Sequence, residues 1–191
     1  MSASRVCTPG LVVVDRDGVI NRDRSDFVKS VDEWQPLPGS LEALALLTQA
    51  GFTIAVASNQ SGLGRGLFDL ATLEAIHEKM RNSVEDFGGR IELVAYCPHR
   101  PDENCLCRKP LPGLMLTIAD ELSLPLAHAP CIGDSERDIV AATEAGARPI
   151  LVLTGNGEQT RSLLDGTQSI EVFPDLLAAA RALVGEVGAS C

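Results

Sequence analysis

The sequence LVVVDRDGVIN, residues 11–21, constrains the fold more than any other stretch of the chain. Four apolar residues that run into an acidic pair without alternation are typical of a strand buried on both faces of a parallel sheet. Side chains alternate along an extended chain, so we expect Asp15 and Asp17 to project to the same side and Arg16 to point away. Gly18 allows a sharp turn behind them. An acidic turn without a chemical role is the alternative, because Asp and Gly are common turn residues.

The remainder of the chain alternates apolar runs with helical patterns. Strands are predicted at 52–57, 91–97, 129–133 and 149–153, helices at 39–50, 69–87, 113–122 and 135–145, and a last strand and helix within 169–184. This order predicts an α/β fold in which helices cover both faces of a central parallel sheet. A length of 191 residues suits one domain, 1–191, in which the polar segment 22–38 overhangs the site as a loop.

The charge balance limits the classes of partner. The formal net charge of −10 disfavours nucleic-acid binding, because such binding depends on Lys and Arg. No stretch reaches the roughly 18 apolar residues of a membrane span, and the N-terminus lacks the pattern of a signal peptide. We therefore expect a monomeric cytoplasmic protein whose partner is a small molecule, with no binding to nucleic acid or membrane.

Polar side chains follow several of the predicted strands, and the carboxyl ends of parallel strands meet at the edge of the sheet where ligands bind. These side chains have a joint chemical interpretation. Asp15 can attack phosphorus and form an acyl phosphate, and Asp17 can protonate the leaving oxygen and then activate water. The residues expected at this edge are Asp15, Asp17, Ser58, Asn59, Lys109, Asp134 and Asp138.

The same residues predict a magnesium site and a phosphate site. Mg²⁺ prefers oxygen ligands, which Asp15, the backbone carbonyl of Asp17 and Asp134 can supply. The Ser58 hydroxyl and neighbouring amides can hold phosphoryl oxygens, while Lys109 offsets the negative charge of carboxylate and phosphate. The predicted substrate-binding residues are Ser58, Asn59, Gln60, Arg108 and Lys109.

Clustered cysteines predict a second metal site. The pattern C-x-H-x5-C-x-C is compact enough to enclose one tetrahedral zinc ion, and four protein ligands leave no open position for water. We therefore expect a structural zinc that fixes the loop 98–112. Disulfide pairing is the alternative, although the histidine and a reducing compartment favour a metal. The predicted ligands are Cys97, His99, Cys105 and Cys107.

Four motifs carry a family resemblance: DRDGV at 15–19, SNQSG at 58–62, RKP at 108–110 and GDSERD at 133–138. Together they resemble the signature motifs of the haloacid dehalogenase-like phosphatases, over about residues 11–145. The resemblance implies a three-layer Rossmannoid fold with no large cap domain, Asp15 as nucleophile, Asp17 as acid and base, bound magnesium and a zinc-stabilised loop. Family members often have Thr where Ser58 stands, which keeps the hydroxyl.

A narrower resemblance is carried by SNQSGLGRG at 58–66, CPH at 97–99 and CLCRKP at 105–110. These stretches look most like the heptose 1,7-bisphosphate 7-phosphatase branch of the family. That branch implies removal of the 7-phosphate in lipopolysaccharide core biosynthesis, with specificity set by the loops 21–34, 60–66 and 98–112. Arg108 is the first candidate for binding the second phosphate. The spacer between His99 and Cys105 is short for this branch.

Two other functions stay open. A histidinol-phosphate phosphatase shares the motifs and a similar zinc loop, and a regulatory module would be phosphorylated on a strand-end aspartate. SNQSG and the GLGRG that follows favour the heptose enzyme, and the position of Asp17 favours turnover, because it can activate water. We interpret Trp34 as a packing anchor. Residues without an assigned chemical role are Arg65, His77, His128, Asp138, Cys7, Cys131 and Cys191.

Overall fold

Six parallel strands form one sheet in the computed structural model, which describes residues 10–164 and 170–190. The spatial order β3-β2-β1-β4-β5-β6 places the first strand of the chain inside the sheet. The strands are β1 (Leu11–Val14), β2 (Thr53–Asn59), β3 (Leu93–Cys97), β4 (Pro130–Gly133), β5 (Arg148–Val152) and β6 (Glu171–Phe173).

The first strand is buried on both faces, as its sequence predicts. Val12 and Val14 belong to one hydrophobic core, and Leu11 and Val13 belong to the other. β2 and β4 pair with β1 along its two edges, and β-branched side chains pack well on such a pleated surface. Neighbours on every side therefore fix this strand, and the residues that follow it leave the sheet at a defined place.

Helices cover both faces of the sheet. One core lies under α1, α3 and α7, and the other lies under α4 and α5. These three layers confirm the predicted fold class, while the single-domain assignment 1–191 stays a prediction. The helices are α1 (Ser40–Gln49), α2 (Ser61–Gly64), α3 (Leu70–Asp86), α4 (Gly113–Leu122), α5 (Glu136–Glu144), α6 (Gly157–Leu163) and α7 (Leu176–Ser190), with a 3₁₀ turn at Pro101–Glu103.

The structure differs from the sequence predictions at a few boundaries. β2 continues through Ser58 and Asn59, beyond its predicted end, because both residues pair with β3. The short helices α2 and α6 are not predicted from the sequence. The glycines in SGLG disfavour a helix by propensity, so local pattern gives no signal for α2.

The segment 22–38 folds back over the end of β1, as predicted. The Arg22 N–H donates to the Gln35 carbonyl and the Leu37 N–H donates to the Ile20 carbonyl, each at 2.9 Å. Trp34 is 1% exposed and belongs to the same hydrophobic core as Ile20 and Val28. This burial confirms the interpretation of Trp34 as a packing anchor.

Within the described ranges, no helix has the length and apolar character needed to cross a membrane. Cys7, Cys191 and the predicted start of the last strand at Ser169 lie outside the described residues.

Candidate active site

Lys109 joins the carboxylate after β1 to a carboxylate on α5. Although it comes from the loop 98–112, its side chain is only 3% exposed. Its Nζ lies 2.8 Å from Asp15 Oδ1, 2.5 Å from Asp138 Oδ1 and 2.7 Å from the Ala57 carbonyl oxygen. The three N–H groups of the ammonium thus have three acceptors. Burial lowers the pKa of Lys109, but Asp138 and Asp15 outweigh it and raise the pKa, so the amine stays charged.

Three carboxylates crowd together at this edge of the sheet. One oxygen each of Asp15, Asp134 and Asp138 lies within 4.8 Å of the others. Burial raises the pKa of Asp15 well above its ordinary value, against the opposing effect of Lys109. Burial also raises the pKa of Asp134 to about 6, although Asn156 donates to Asp134 Oδ2 from its backbone N–H at 2.7 Å and its side-chain amide at 3.1 Å. Crowded, buried carboxylates of this kind favour a bound cation.

Two glycines let the backbone approach Asp134 closely. Gly18, with φ 84°, and Gly155, with φ 56°, both lie in the left-handed region. A Cβ on either glycine would overlap the Asp134 carboxylate. The glycine of the DRDG motif therefore provides both the turn after β1 and the room that this carboxylate needs.

Asp17 is held by three side chains, and the structure corrects the prediction for Arg16. Arg16 Nη2 lies 2.8 Å from Asp17 Oδ2, Asn21 Nδ2 donates to Oδ1 at 2.9 Å, and Gln60 Nε2 donates to Oδ2 at 2.8 Å. The prediction that Arg16 points away from Asp17 is wrong. The chain is no longer extended there, because the N–H groups of Ile20 and Asn21 both donate to the Arg16 carbonyl and form a turn.

This network continues behind Arg16 into the core. Arg16 is 1% exposed. Its Nη2 lies 3.0 Å from Gln60 Oε1, and its Nη1 lies 3.4 Å from Nε2 of His77, a buried residue on α3. Burial raises the pKa of Asp17, but Arg16 and the hydrogen bonds from Asn21 and Gln60 outweigh it, and the pKa is lowered. Burial, followed by the charge of Arg16, lowers the pKa of His77 to about 3, so its ring stays neutral.

A cavity of about 310 Å³ opens above these groups. It brings together every residue predicted for catalysis, magnesium and substrate, which are Asp15, Asp17, Ser58, Asn59, Gln60, Arg108, Lys109 and Asp134.

Asn59 and Gln60 use their side chains to hold other protein groups. Asn59 Nδ2 donates to the Lys109 carbonyl at 3.0 Å, and Asn59 Oδ1 accepts from the Lys109 N–H at 3.1 Å. Gln60 Nε2 donates to Ser58 Oγ at 2.7 Å as well as to Asp17. The contacts predicted between these residues and substrate stay predictions, and the structure adds a positioning role for both.

The four predicted zinc ligands lie together at the end of β3. Cys97 Sγ is 3.6 Å from both His99 Nδ1 and Cys105 Sγ, and Cys107 Sγ is 3.3 Å from His99 Nδ1. Tetrahedral zinc with Zn–S bonds of about 2.3 Å separates its sulfur ligands by roughly 3.8 Å, which is close to these spacings. The three thiols are free, so the disulfide alternative is not formed. The donor atoms and their spacing fit zinc.

Comparison with known proteins identifies the family to which the chain belongs. Residues 11–137 match the family described as polynucleotide kinase 3 phosphatase, and residues 106–179 match the family described as HAD-hydrolase-like. The D-glycero-beta-D-manno-heptose-1,7-bisphosphate 7-phosphatase of Bordetella bronchiseptica is 51% identical over 176 residues, which are 92% of this chain and 98% of that protein. The chain belongs to the haloacid dehalogenase-like phosphatases.

Solved structures agree with membership in this phosphatase family. The crystal structure of D,D-heptose 1,7-bisphosphate phosphatase from B. bronchiseptica, complexed with magnesium and phosphate, has a TM-score of 0.89 and covers 92% of this chain and 98% of its own. The corresponding enzyme from Burkholderia thailandensis has a TM-score of 0.72 at 43% identity, and covers 91% of this chain and 97% of its own. This phosphatase is accordingly a phosphoric monoester hydrolase.

Sequence reasoning misses several side chains that build the phosphatase site. Asn156 follows the predicted strand 149–153, so the rule that selects strand-end residues could have found it. Asn21 and Arg16 lie inside the opening motif, but their contacts depend on a turn that periodicity does not reveal. Arg137 lines the cavity from α5, inside the GDSERD motif, without any pattern of its own. Arg65 does not line this cavity, in keeping with a surface residue.

Proposed function

We propose that this phosphatase removes the 7-phosphate of D-glycero-D-manno-heptose 1,7-bisphosphate, with Asp15 as nucleophile and Mg²⁺ as cofactor. One observation carries the chemistry: Asp15 lines the cavity with its carboxylate paired to buried Lys109, and Asp17 lines the same cavity. The substrate is the one named for the relative that matches over nearly the whole chain.

The reaction proceeds in two displacements. A carboxylate oxygen of Asp15 attacks phosphorus, the bond between phosphorus and the sugar oxygen breaks, and Asp17 gives its proton to that oxygen. Water then attacks the aspartyl phosphate, Asp17 takes a proton from it, and phosphate leaves with the Asp15 carboxylate restored. Lys109 stays beside Asp15 throughout and offsets the negative charge that gathers there.

The contacts of Asp17 favour its charged form in the free enzyme. Arg16, Asn21 and Gln60 all donate to its carboxylate and lower its pKa. Asp17 is therefore ready as a base for the second displacement. For the first displacement, the dianionic phosphoryl group must raise the pKa of Asp17 when substrate binds, because like charges disfavour the carboxylate.

The carboxylates fit a magnesium ion. Asp138 is occupied by Lys109 and by the N–H and hydroxyl of Ser135, so Asp15 and Asp134 are the carboxylates left to coordinate, with the backbone carbonyl of Asp17. When bound there, Mg²⁺ neutralises charge on the transferring phosphoryl group. The relative from B. bronchiseptica is complexed with magnesium and phosphate, which supports this assignment.

Zinc belongs to this proposal as a structural ion. Cys97, His99, Cys105 and Cys107 would supply four ligands, which fill a tetrahedral zinc ion and would leave it no place for substrate. Its role is to hold the loop that carries Arg108 and Lys109.

The second phosphate of the substrate is assigned to Arg108, which lines the cavity and donates only weakly, to the His99 carbonyl at 3.3 Å. A planar guanidinium suits a phosphate that is bound but not transferred. Histidinol phosphate, the alternative substrate, has only one phosphate. We place this activity in a monomeric cytoplasmic enzyme that serves lipopolysaccharide heptose synthesis.

A steady-state assay tests the substrate. With Mg²⁺ present, we expect kcat/KM for the heptose 1,7-bisphosphate to exceed that for the heptose 7-phosphate by about 10- to 100-fold, as one charge-assisted contact would give. Substitution Arg108→Ala should remove most of this preference. Equal efficiency on the two sugars, or a preference for histidinol phosphate, would refute the substrate assignment. A stable phosphorylated Asp15 without turnover would instead support the regulatory module.

A further inference from the structure

The side-chain hydrogen bonds around Asp17 all run in one direction, from the neighbouring group to the carboxylate. Arg16, Asn21 and Gln60 each donate to it, at distances of 2.8 to 3.1 Å. The guanidinium of Arg16 has no acceptor atom. Asn21 and Gln60 each carry an amide, in which the oxygen acceptor and the nitrogen donor exchange places when the group makes a half turn. A further contact must therefore hold each amide with its nitrogen towards Asp17.

Each of the two amide oxygens faces a group that can only donate. Trp34 Nε1 donates to Asn21 Oδ1 at 3.0 Å, and Arg16 Nη2 donates to Gln60 Oε1 at 3.0 Å. The indole N–H, like the guanidinium N–H, cannot accept a hydrogen bond in return. These two contacts thus select the orientation in which the amide nitrogens of Asn21 and Gln60 point to Asp17.

The contact between Trp34 and Asn21 is shielded from water. Trp34 is 1% exposed and Asn21 is fully buried. A half turn of the Asn21 amide would bring its N–H groups against the indole N–H. It would also bring Oδ1 against the Arg22 carbonyl, to which Nδ2 now donates at 2.9 Å. Because buried donors and acceptors without partners cost free energy, the observed orientation is the stable one.

Lys79 on α3 keeps the indole in place. Its Nζ donates to the backbone carbonyls of Val31 and Trp34, at 2.7 and 3.2 Å. The same ammonium lies 5.7 Å from the centre of the Trp34 ring, within the range of a cation–π interaction. The segment 22–38 is therefore tied to α3 at the residue that meets Asn21.

The orientation of Asn21 bears on proton transfer. In the first displacement Asp17 carries a proton, and a protonated carboxyl group has one O–H donor. If the Asn21 amide turned, Oδ1 would accept this proton and hold it inside the protein. In the observed orientation Arg16, Asn21 and Gln60 all present donors, so none of the three can accept it.

We propose that Trp34 is a positioning residue for proton transfer: its indole N–H fixes the Asn21 amide as a donor and thereby directs the proton of Asp17 to the leaving oxygen of the substrate. This inference rests on the proposed function, because it takes Asp17 as the acid. Trp34 thus has a chemical role in addition to its role as a packing anchor.

A change of leaving group tests this role separately from packing. The oxygen of a primary sugar phosphate needs a proton as it leaves, whereas 4-nitrophenolate leaves as an anion and needs little help from an acid. We would measure kcat/KM, which covers the steps up to the aspartyl phosphate, for the heptose 1,7-bisphosphate and for 4-nitrophenyl phosphate. A defect in proton delivery lowers the first value and spares the second, whereas a distorted site lowers both.

Two changes remove the indole N–H. Trp34→Phe keeps an aromatic ring, and we expect it to lower kcat/KM for the sugar phosphate about 3- to 10-fold more than for the nitrophenyl ester, as loss of one buried hydrogen bond would give. Trp34 is the only tryptophan of the chain, so supplying 3-benzothienylalanine in place of tryptophan exchanges this one N–H for sulfur. This analogue should give the same difference between the substrates and almost no change in unfolding temperature.

Asn21→Ala completes a double-mutant cycle. It removes the amide through which Trp34 acts, so Trp34→Phe should not change the ratio of the two kcat/KM values further in this background. Phe52→Leu is the matched packing control, because Phe52 packs against the same hydrophobic core and precedes β2, whereas Ser58 of the site lies near the other end of that strand. It should lower the unfolding temperature and leave the ratio unchanged.

Equal losses on the two substrates in both Trp34 variants, or no loss on either, would overturn the inference, as would a further effect of Trp34→Phe in Asn21→Ala. Asp17→Asn separates this failure from failure of the proposed function, since it should cost the sugar phosphate at least about 100-fold more than the ester. Equal losses in Asp17→Asn would remove Asp17 as the acid, and this inference with it. A primary alkyl phosphate that the enzyme hydrolyses can replace the heptose, so the test does not depend on the sugar.

Discussion

The carboxylate cluster brings together residues that are distant in sequence, and the cysteine cluster brings together buried and half-buried residues of one segment. The protein holds the two clusters differently. Each carboxylate has protein donors: Lys109 for Asp15 and Asp138, Asn156 for Asp134. The thiols and the imidazole of the cysteine cluster contact one another across 3.3 to 3.6 Å. We therefore expect the fold to assemble the catalytic site before any metal binds, and the loop that contains the cysteines to depend on zinc.

Substitution of the nucleophile gives the largest expected effect on activity and almost none on the fold. Asp15→Asn should lower kcat by at least about 10⁴-fold, because no oxygen remains that can attack phosphorus at a useful rate. The unfolding temperature should hold or rise, since burial, together with repulsion from Asp138 and Asp134, disfavours the Asp15 carboxylate by more than Lys109 stabilises it. Asp120→Asn, an exposed site on α4, is the control. Turnover within 100-fold of the parent would remove Asp15 from the mechanism.

Removal of magnesium should also abolish turnover, but reversibly. A weak chelator such as citrate competes for Mg²⁺ because few protein groups hold the ion, and readdition should restore activity within minutes. The circular dichroism spectrum should not change, since Lys109 and Asn156 keep the carboxylates in place without the ion. Loss of secondary structure on this treatment would contradict the difference drawn between the two clusters.

Loss of zinc should have a smaller effect on activity and a larger one on stability. Cys105→Ser should lower zinc content below one ion per chain and reduce kcat/KM about 10- to 100-fold, because Arg108 loses its fixed position while Asn59 still holds Lys109. The melting temperature should fall by at least about 5 °C, given roughly 2–4 °C per kcal/mol for a chain of this size. Cys131→Ala, which alters a buried cysteine outside the cluster, should keep its zinc. Full activity in zinc-free protein would show that the loop does not need the ion.

The smallest effect is expected where only one donor is removed from the carboxylate cluster. Asn156→Ala deletes the side-chain hydrogen bond to Asp134 but keeps the backbone one. We expect the Mg²⁺ concentration for half-maximal activity to rise about 10-fold, as for other residues that orient a metal ligand. Asn82→Ala, exposed on α3, is the control. An unchanged magnesium requirement would mean that the backbone N–H alone positions Asp134.

The sequence predicts the carboxylate cluster well because its signals are local. A continuous apolar run predicts β1, and Asp15 and Asp134 directly follow β1 and β4. The sequence does not predict the direction of the Arg16 side chain, which depends on a turn. It also does not predict the hydrogen bonds of Asn59, whose partner Lys109 is fifty positions away. A contact between distant segments leaves no mark in periodicity. The cysteine cluster is predictable for the same reason in a stronger form, since its four residues all lie within one short segment.

The two hydrogen bonds between the Asn59 side chain and the Lys109 backbone have a consequence for how such an enzyme can change during evolution. They fix Lys109 from β2, independently of the path that the chain takes between His99 and Cys105. Residues 100–104 can therefore be lengthened, shortened or replaced without moving the ammonium group that faces the nucleophile. New substrates can be acquired by altering that short spacer, while the reacting groups are inherited unchanged.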